Sequence, residues 1–270
     1  MSLALAEAKY VSDDILEKIV TEDDEPVDNL YSEKLQRILP HILYSSWTPP
    51  PDEDHPKKKR KFLAAANVGI FFAVAEPPLV PDMFLSLDVA PHKNWYEKRH
   101  CTYFVWEFGK VPEVAIEIVS NRKGKELTEK LKTYARWGIN YYVVYDPQKR
   151  LSKDVLCVYE LGFGKRYRPR QDFLLPDLGL GLTLWKGTFE DHEDTWLRWL
   201  DAKGRLILTG EERAANAEGL ASKEAQRAAS AEALAKQEAQ RAASAEAELA
   251  KLRAELAQLK QPNGKKKSKA

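Results

Sequence analysis

The stretch VAIEIVSNRKGKELTEKLKTYARWGINYYVVYDP, residues 114–147, decides how the rest of the chain is read. Its opening, 114–119, is an apolar run interrupted by a single acid, Glu117. Residues 125–137 place Leu127, Leu131, Tyr134 and Ala135 on one side of a helix. Gly138 ends that helix, because the left-handed position after a helix favours glycine. Residues 141–145 are β-branched and aromatic and read as a second strand. Strand, helix and strand at this spacing form the parallel crossover of an α/β sheet. Glu117 falls where a buried strand should be apolar, so it requires a partner or a metal to offset its desolvation.

Upstream, 31–44 carries Leu35, Ile38, Leu39, Ile42 and Leu43 at helical spacing, with Pro40 predicting a kink. This helix is expected to pack on the sheet. Before it, 10–25 opens with Ser12-Asp13-Asp14 as a cap and ends in an acidic stretch. Residues 64–74 read as one strand, with Asn67 and Gly69 unusual inside it, and 80–89 as another that begins beside Asp82. Residues 103–108 read as a short strand or a lead-in to Glu113. Downstream, 155–160 and 166–170 suggest an antiparallel pair around a turn at 162–164. Short strands and turns are expected over 174–185, and 189–200 is expected to close the domain as a helix with Trp196, Trp199 and Leu200 inward.

No Trp, Tyr or Phe follows Trp199, and Ala, Glu, Gln, Lys and Arg take over. The division read from this shift is a globular domain over 1–204, a helical tail over 205–262 and a disordered basic terminus over 263–270. In the tail EAQRAASAEA occurs at Glu224 and again at Glu238, two heptads apart. A seam of 3–4 spacing runs from Ala217 and ends in Leu249, Leu252, Leu256 and Leu259. Leucines there, with alanines before them, predict a coiled coil that pairs weakly along most of its length and better at its end.

Forty-two basic against forty-one acidic residues leave the chain near neutrality, so its net charge makes no case for nucleic acid. One local exception is PKKKRK, with five positive charges at 57–61. It matches a nuclear import signal in type, but such matches are commonly false, and the favoured reading is an exposed loop that touches phosphate or is merely solvated. Cys101 and Cys157 are expected to be buried thiols of a reducing cytoplasm, not a disulfide. The N-terminus has no apolar run long enough for a signal peptide or a membrane span, which predicts a cytoplasmic protein.

Three residues form the candidate chemical set: Asp82 at a strand start, Glu117 within a strand, and Lys130 on the following helix. Two carboxylates on neighbouring strands can hold a hard divalent cation, which takes oxygen ligands and keeps several waters. A nearby lysine can orient or deprotonate the attacking water and offset phosphate charge. Taken singly, Pro-Asp is commonly a turn and a helix lysine commonly solvated; the ordered set carries the reading.

That order resembles the PD-(D/E)XK nuclease superfamily. Pro81-Asp82 is similar to its first half-motif and Glu117-Ile118-Val119 to its second, with valine where lysine usually stands. Within it, the chain resembles the Uma-type restriction endonuclease family over roughly 24–199. The matching elements are Glu117, Ser120, Glu129-Lys130, Tyr134, Gly138, Tyr141-Tyr142 and Asp146-Pro147. The resemblance implies a restriction-endonuclease-like α/β fold, a mixed sheet with flanking helices. It also implies a lysine moved from strand to helix, for which Lys130 is the matching position and Lys125 and Lys132 are near alternatives. Where the family often has Asp, four residues before that lysine, this chain has Glu126, which reads as an i,i+4 partner of Lys130. The activity expected is Mg²⁺- or Mn²⁺-dependent hydrolysis of DNA, with Asp82 and Glu117 as metal ligands and a homodimer formed through the tail. The competing expectation is a catalytically degenerate nuclease fold that binds and oligomerises.

Overall fold

The computed structural model describes residues 11–21, 29–52, 56–57, 59–121 and 125–259. The acidic stretch after 21, Lys58 of the basic run and the lysine-rich terminus lie outside the described residues. In chain order the elements are α1 (Asp13–Leu16), α2 (Leu30–Ser46), β1 (Phe62–Ala66), β2 (Ile70–Phe71), β3 (Met83–Leu87), β4 (Tyr103–Phe104), α3 (Val105–Phe108) and β5 (Val114–Ile118). A π-helical turn (Glu126–Lys130) then runs into α4 (Leu131–Trp137), followed by β6 (Tyr141–Tyr145), β7 (Leu156–Gly162), β8 (Arg166–Arg170), β9 (Leu174–Leu175), β10 (Leu180–Phe189), β11 (His192–Asp201) and α5 (Gly210–Leu259).

The main sheet has strand order β1-β3-β5-β6-β7-β8. Its one parallel pair is β5–β6, with Val114 opposite Tyr141 and Glu117 opposite Val144, as the strand–helix–strand stretch predicts. The other neighbours are antiparallel. Period-two alternation sorts β5 between two cores. Val114, Ile116 and Ile118 join the core built with α2, β10 and β11, whereas Ala115 and Val119 join the core containing Tyr134, Trp137 and Tyr142. Glu117 shares the second face, under α4. On α2, Leu35, Ile38, Leu39, Ile42 and Leu43 are fully buried, each side chain contributing roughly 1.5–3 kcal/mol. Asn29 caps this helix by accepting from the backbone N–H groups of Tyr31 and Ser32. Pro40 lies inside it and cannot donate to the carbonyl of Gln36.

Four expectations are corrected. Residues 189–200 are not a helix but part of the β10–β11 hairpin, closed with Phe189 opposite His192. Glu190 and Asp191 both have positive φ, 47° and 60°, the conformation of a tight two-residue hairpin turn. The strand expected over 64–74 is broken at Asn67 (φ 55°) into β1 and β2, and β2 leaves the main sheet to pair with β4. The segment 103–108 is half strand and half helix. Cys101 is exposed and Cys157 partly buried; both are free thiols, so the pairing expectation holds but the burial of Cys101 does not.

The chain divides into two compact units, Met1–Gly210 and Glu211–Ala270. Among its described residues the second is a single helix. Leu220, Leu234, Leu249, Leu252 and Leu256 are all exposed on it, and Glu232 pairs with Lys236 one turn on. No helix among the described residues is long and apolar enough to cross a membrane.

Candidate active site

Asp82 meets Glu117 because of register. β3 and β5 pair Leu85 with Val114, Phe84 with Ala115 and Met83 with Ile116. Continuing by one residue sets Asp82, just before β3, opposite Glu117. The Asp82 carboxylate then caps the strand end: Oδ2 accepts the Ile118 backbone N–H at 2.5 Å, and Oδ1 accepts the Gln36 side-chain amide at 2.6 Å. Gln36 is buried on α2, so one carboxylate ties helix, turn and central strand together.

Glu117 is 2 % exposed. Lys130 donates to its Oε2 at 2.7 Å and the Tyr134 hydroxyl to its Oε1 at 2.8 Å. The lysine reaches it through the π-helical turn, in which the Lys130 N–H bonds back five residues to the Lys125 carbonyl. Such widened turns recur at functional sites. Gly138, with φ 96°, ends α4 in the left-handed conformation and turns the chain into β6. Asp82, Glu117 and Lys130 are therefore brought together, while Lys125 pairs outward with Glu129 at 2.6 Å.

Burial dominates the electrostatics. It pushes the Glu117 carboxyl up to about 8, with the Asp82 charge adding to the rise and Lys130 and Tyr134 opposing it. Burial also works against the Lys130 ammonium, but the charges of Glu117, Glu126 and Asp82 outweigh it and hold its pKa above the usual lysine value. Lys130 is thus a cation at neutral pH. Tyr134 is raised well above the phenol range by burial and by Glu117, so it remains a donor.

Glu126 is the unexpected member. It is buried, and its Oε2 has no hydrogen-bond partner among the described residues. Its backbone carbonyl accepts the Tyr142 hydroxyl at 2.9 Å. Its charge acts on Lys130 four residues on, though the i,i+4 ion pair actually formed in this turn is Lys125–Glu129.

The donor set is compatible with a divalent cation. Among the described residues no three His, Cys, Asp or Glu side chains cluster as a metal site, so the protein offers two carboxylates. Mg²⁺ is commonly bound by one or two carboxylates plus water and substrate oxygens, and a cation held by Asp82 and Glu117 would offset the Asp82 charge that adds to burial in raising Glu117. Sequence reasoning did not find Gln36 as a contact, and Tyr134 was read as packing and a family element. Gln36 lies 46 residues from Asp82, and only its polarity on the buried side of an apolar helix could have signalled it. The basic run is less available than its charge suggests: Arg60 is held by Asp88 through Nε at 3.0 Å and Nη2 at 2.6 Å.

A comparison with curated proteins and with solved structures gave no match. Residues 52–184 match a family model, Uma2, described as "Putative restriction endonuclease". The match covers Asp82, Glu117, Lys130 and the crossover between them, and leaves out α2 and β11. Over residues 52–184 the chain is similar to the Uma2 family, and its mixed sheet displays a restriction-endonuclease-like α/β fold.

Proposed function

We propose that the protein is a divalent-cation-dependent endonuclease that hydrolyses DNA, with Asp82 and Glu117 holding Mg²⁺ or Mn²⁺ and Lys130 acting beside them. The observation that carries this reading is the Lys130–Glu117 contact at 2.7 Å with Asp82 at the start of the adjoining strand, just before β3. When bound, the cation would neutralise charge on the scissile phosphate and make a coordinated water more acidic. The chain's own groups do the rest. Gln36 and the Ile118 N–H fix the orientation of Asp82, and Tyr134 fixes that of Glu117, so that neither carboxylate must reorganise. Lys130, held charged, offsets developing charge on the phosphate and orients the attacking water; its protonation makes it a poor general base. The free thiols accord with a cytoplasmic setting, and α5, through its leucines, would join two protomers so that both strands of a duplex can be addressed.

One observation favours the binding-only alternative. Each oxygen of Asp82 and Glu117 already has a donor within the protein, so a cation must displace Lys130 or share their remaining lone pairs. Calorimetric titration with Mn²⁺ distinguishes the two. Wild type should bind and Asp82→Asn and Glu117→Gln should lose the heat, while Lys130→Gln retains it. A wild type that takes up no Mn²⁺ would leave the binding module standing.

A further inference from the structure

Lys130 faces a second feature besides Glu117. With Glu76, Pro77, Leu79, Lys125, Glu129, Thr133 and Arg136 it lines a cavity of about 420 Å³, a size within the range of small-molecule sites. Three of these eight side chains are cationic, two are acidic and two are apolar. The cations are loosely held. Lys125 pairs with Glu129, both more than half exposed, and Arg136 pairs with Glu76 at 2.7 Å while itself 55 % exposed. An exposed pair such as Lys125–Glu129 contributes about 0–1 kcal/mol, so an arriving phosphate can recruit Lys125 at little cost, while Arg136 would turn to it from the less exposed Glu76. Glu76 keeps a second donor, the Trp137 indole N–H at 3.1 Å, whichever way Arg136 turns. It therefore stays fixed at the wall as an acceptor. Phosphate-binding cations, an apolar wall and an acceptor suit a nucleotide better than a simple anion.

We propose that this cavity is a nucleotide subsite, taking one nucleotide of the strand being cut, with its phosphate on Lys125 and Arg136 and its base against Pro77 and Leu79. The inference rests on the nuclease reading for its substrate class, and it adds where the strand lies: past Lys130, on the side of Thr133 and Arg136.

Its test uses the full chain in Ca²⁺, which favours binding measurements without cleavage. Calorimetry follows deoxyadenosine monophosphate and a short single-stranded oligonucleotide against wild type, Thr133→Trp, which fills the cavity, and Arg136→Gln, which removes a cation. Both variants should bind each probe roughly tenfold more weakly, with Mn²⁺ uptake unchanged. Arg136→Gln alters an exposed side chain and serves should Thr133→Trp fail to fold. Wild-type affinity in Arg136→Gln and in a folded Thr133→Trp would overturn the proposal. So would a wild type that does not bind the mononucleotide, or inorganic phosphate competing as well as the mononucleotide does. If wild type binds the nucleotide through this cavity yet cuts no substrate in Mg²⁺ or Mn²⁺, the subsite stands and the nuclease reading falls.

Discussion

At the scale of single residues, Glu117 is where folding and chemistry oppose each other. A carboxylate in the middle of a buried strand costs several kcal/mol unless paired, and Lys130 and Tyr134 recover only part, since burial and Asp82 still drive its pKa up to about 8. A raised acid pKa means that the folded protein binds a proton that the unfolded chain has released. The stability this group contributes is therefore complete below the ordinary carboxyl range near 4.5 and is lost as pH rises through about 8. Thermal denaturation of the metal-free protein should show wild type losing stability relative to Glu117→Gln between pH 5 and pH 8. Parallel curves would show that Glu117 is ionised throughout. Asp82 behaves differently. It is the acceptor for Ile118 and Gln36, so relief of repulsion in Asp82→Ala competes with the roughly 1–3 kcal/mol cost of stranding a buried donor.

At the scale of elements, the crossover β5–α4–β6 was legible because its signals agree: apolar run, helical spacing, glycine stop, aromatic strand. Gly138 gives that agreement a measurable consequence. A side chain there would meet nothing within 4 Å, so Gly138→Ala should cost only the conformational penalty of φ 96°, about 1–2 kcal/mol. Denaturant unfolding would check this, and a neutral substitution would mean that the chain leaves α4 by another route. The β10–β11 hairpin was illegible for an equally physical reason. Trp196, Leu197, Arg198 and Trp199 are all buried, so burial on both sides removes the alternation that marks a strand. Trp196, Trp199 and Leu200 at 3–4 spacing then imitate a helix. Arg198 hides in this layer by stacking on Trp185 at 4.6 Å and donating to the Ile207 carbonyl. Within the site, the acids and lysine could be read as an ordered set, but Gln36 and the open cavity beside Lys130 depend on contacts between distant segments. The π turn likewise has no period of its own in the sequence.

At the scale of the whole molecule, the tail and the globular domain make separate claims. The 50-residue helix α5 would extend about 75 Å, and its exposed Leu249, Leu252 and Leu256 are what a second tail would cover. Sedimentation should give a dimer for wild type and a monomer when these three are changed to Ser together; a monomeric wild type would make the tail a solvated single helix. The claim on which everything else depends is catalysis at the Asp82–Glu117–Lys130 centre. It is tested most directly by incubating supercoiled plasmid with purified wild type, Asp82→Asn, Glu117→Gln and Lys130→Gln, in Mg²⁺ or Mn²⁺ and in chelator. Nicking or linearisation by wild type with added cation, lost in chelator and in both carboxylate variants and slowed at least about a hundredfold in Lys130→Gln, is the predicted result. Cleavage that persists in Glu117→Gln, or a wild type that leaves the plasmid intact, would contradict it.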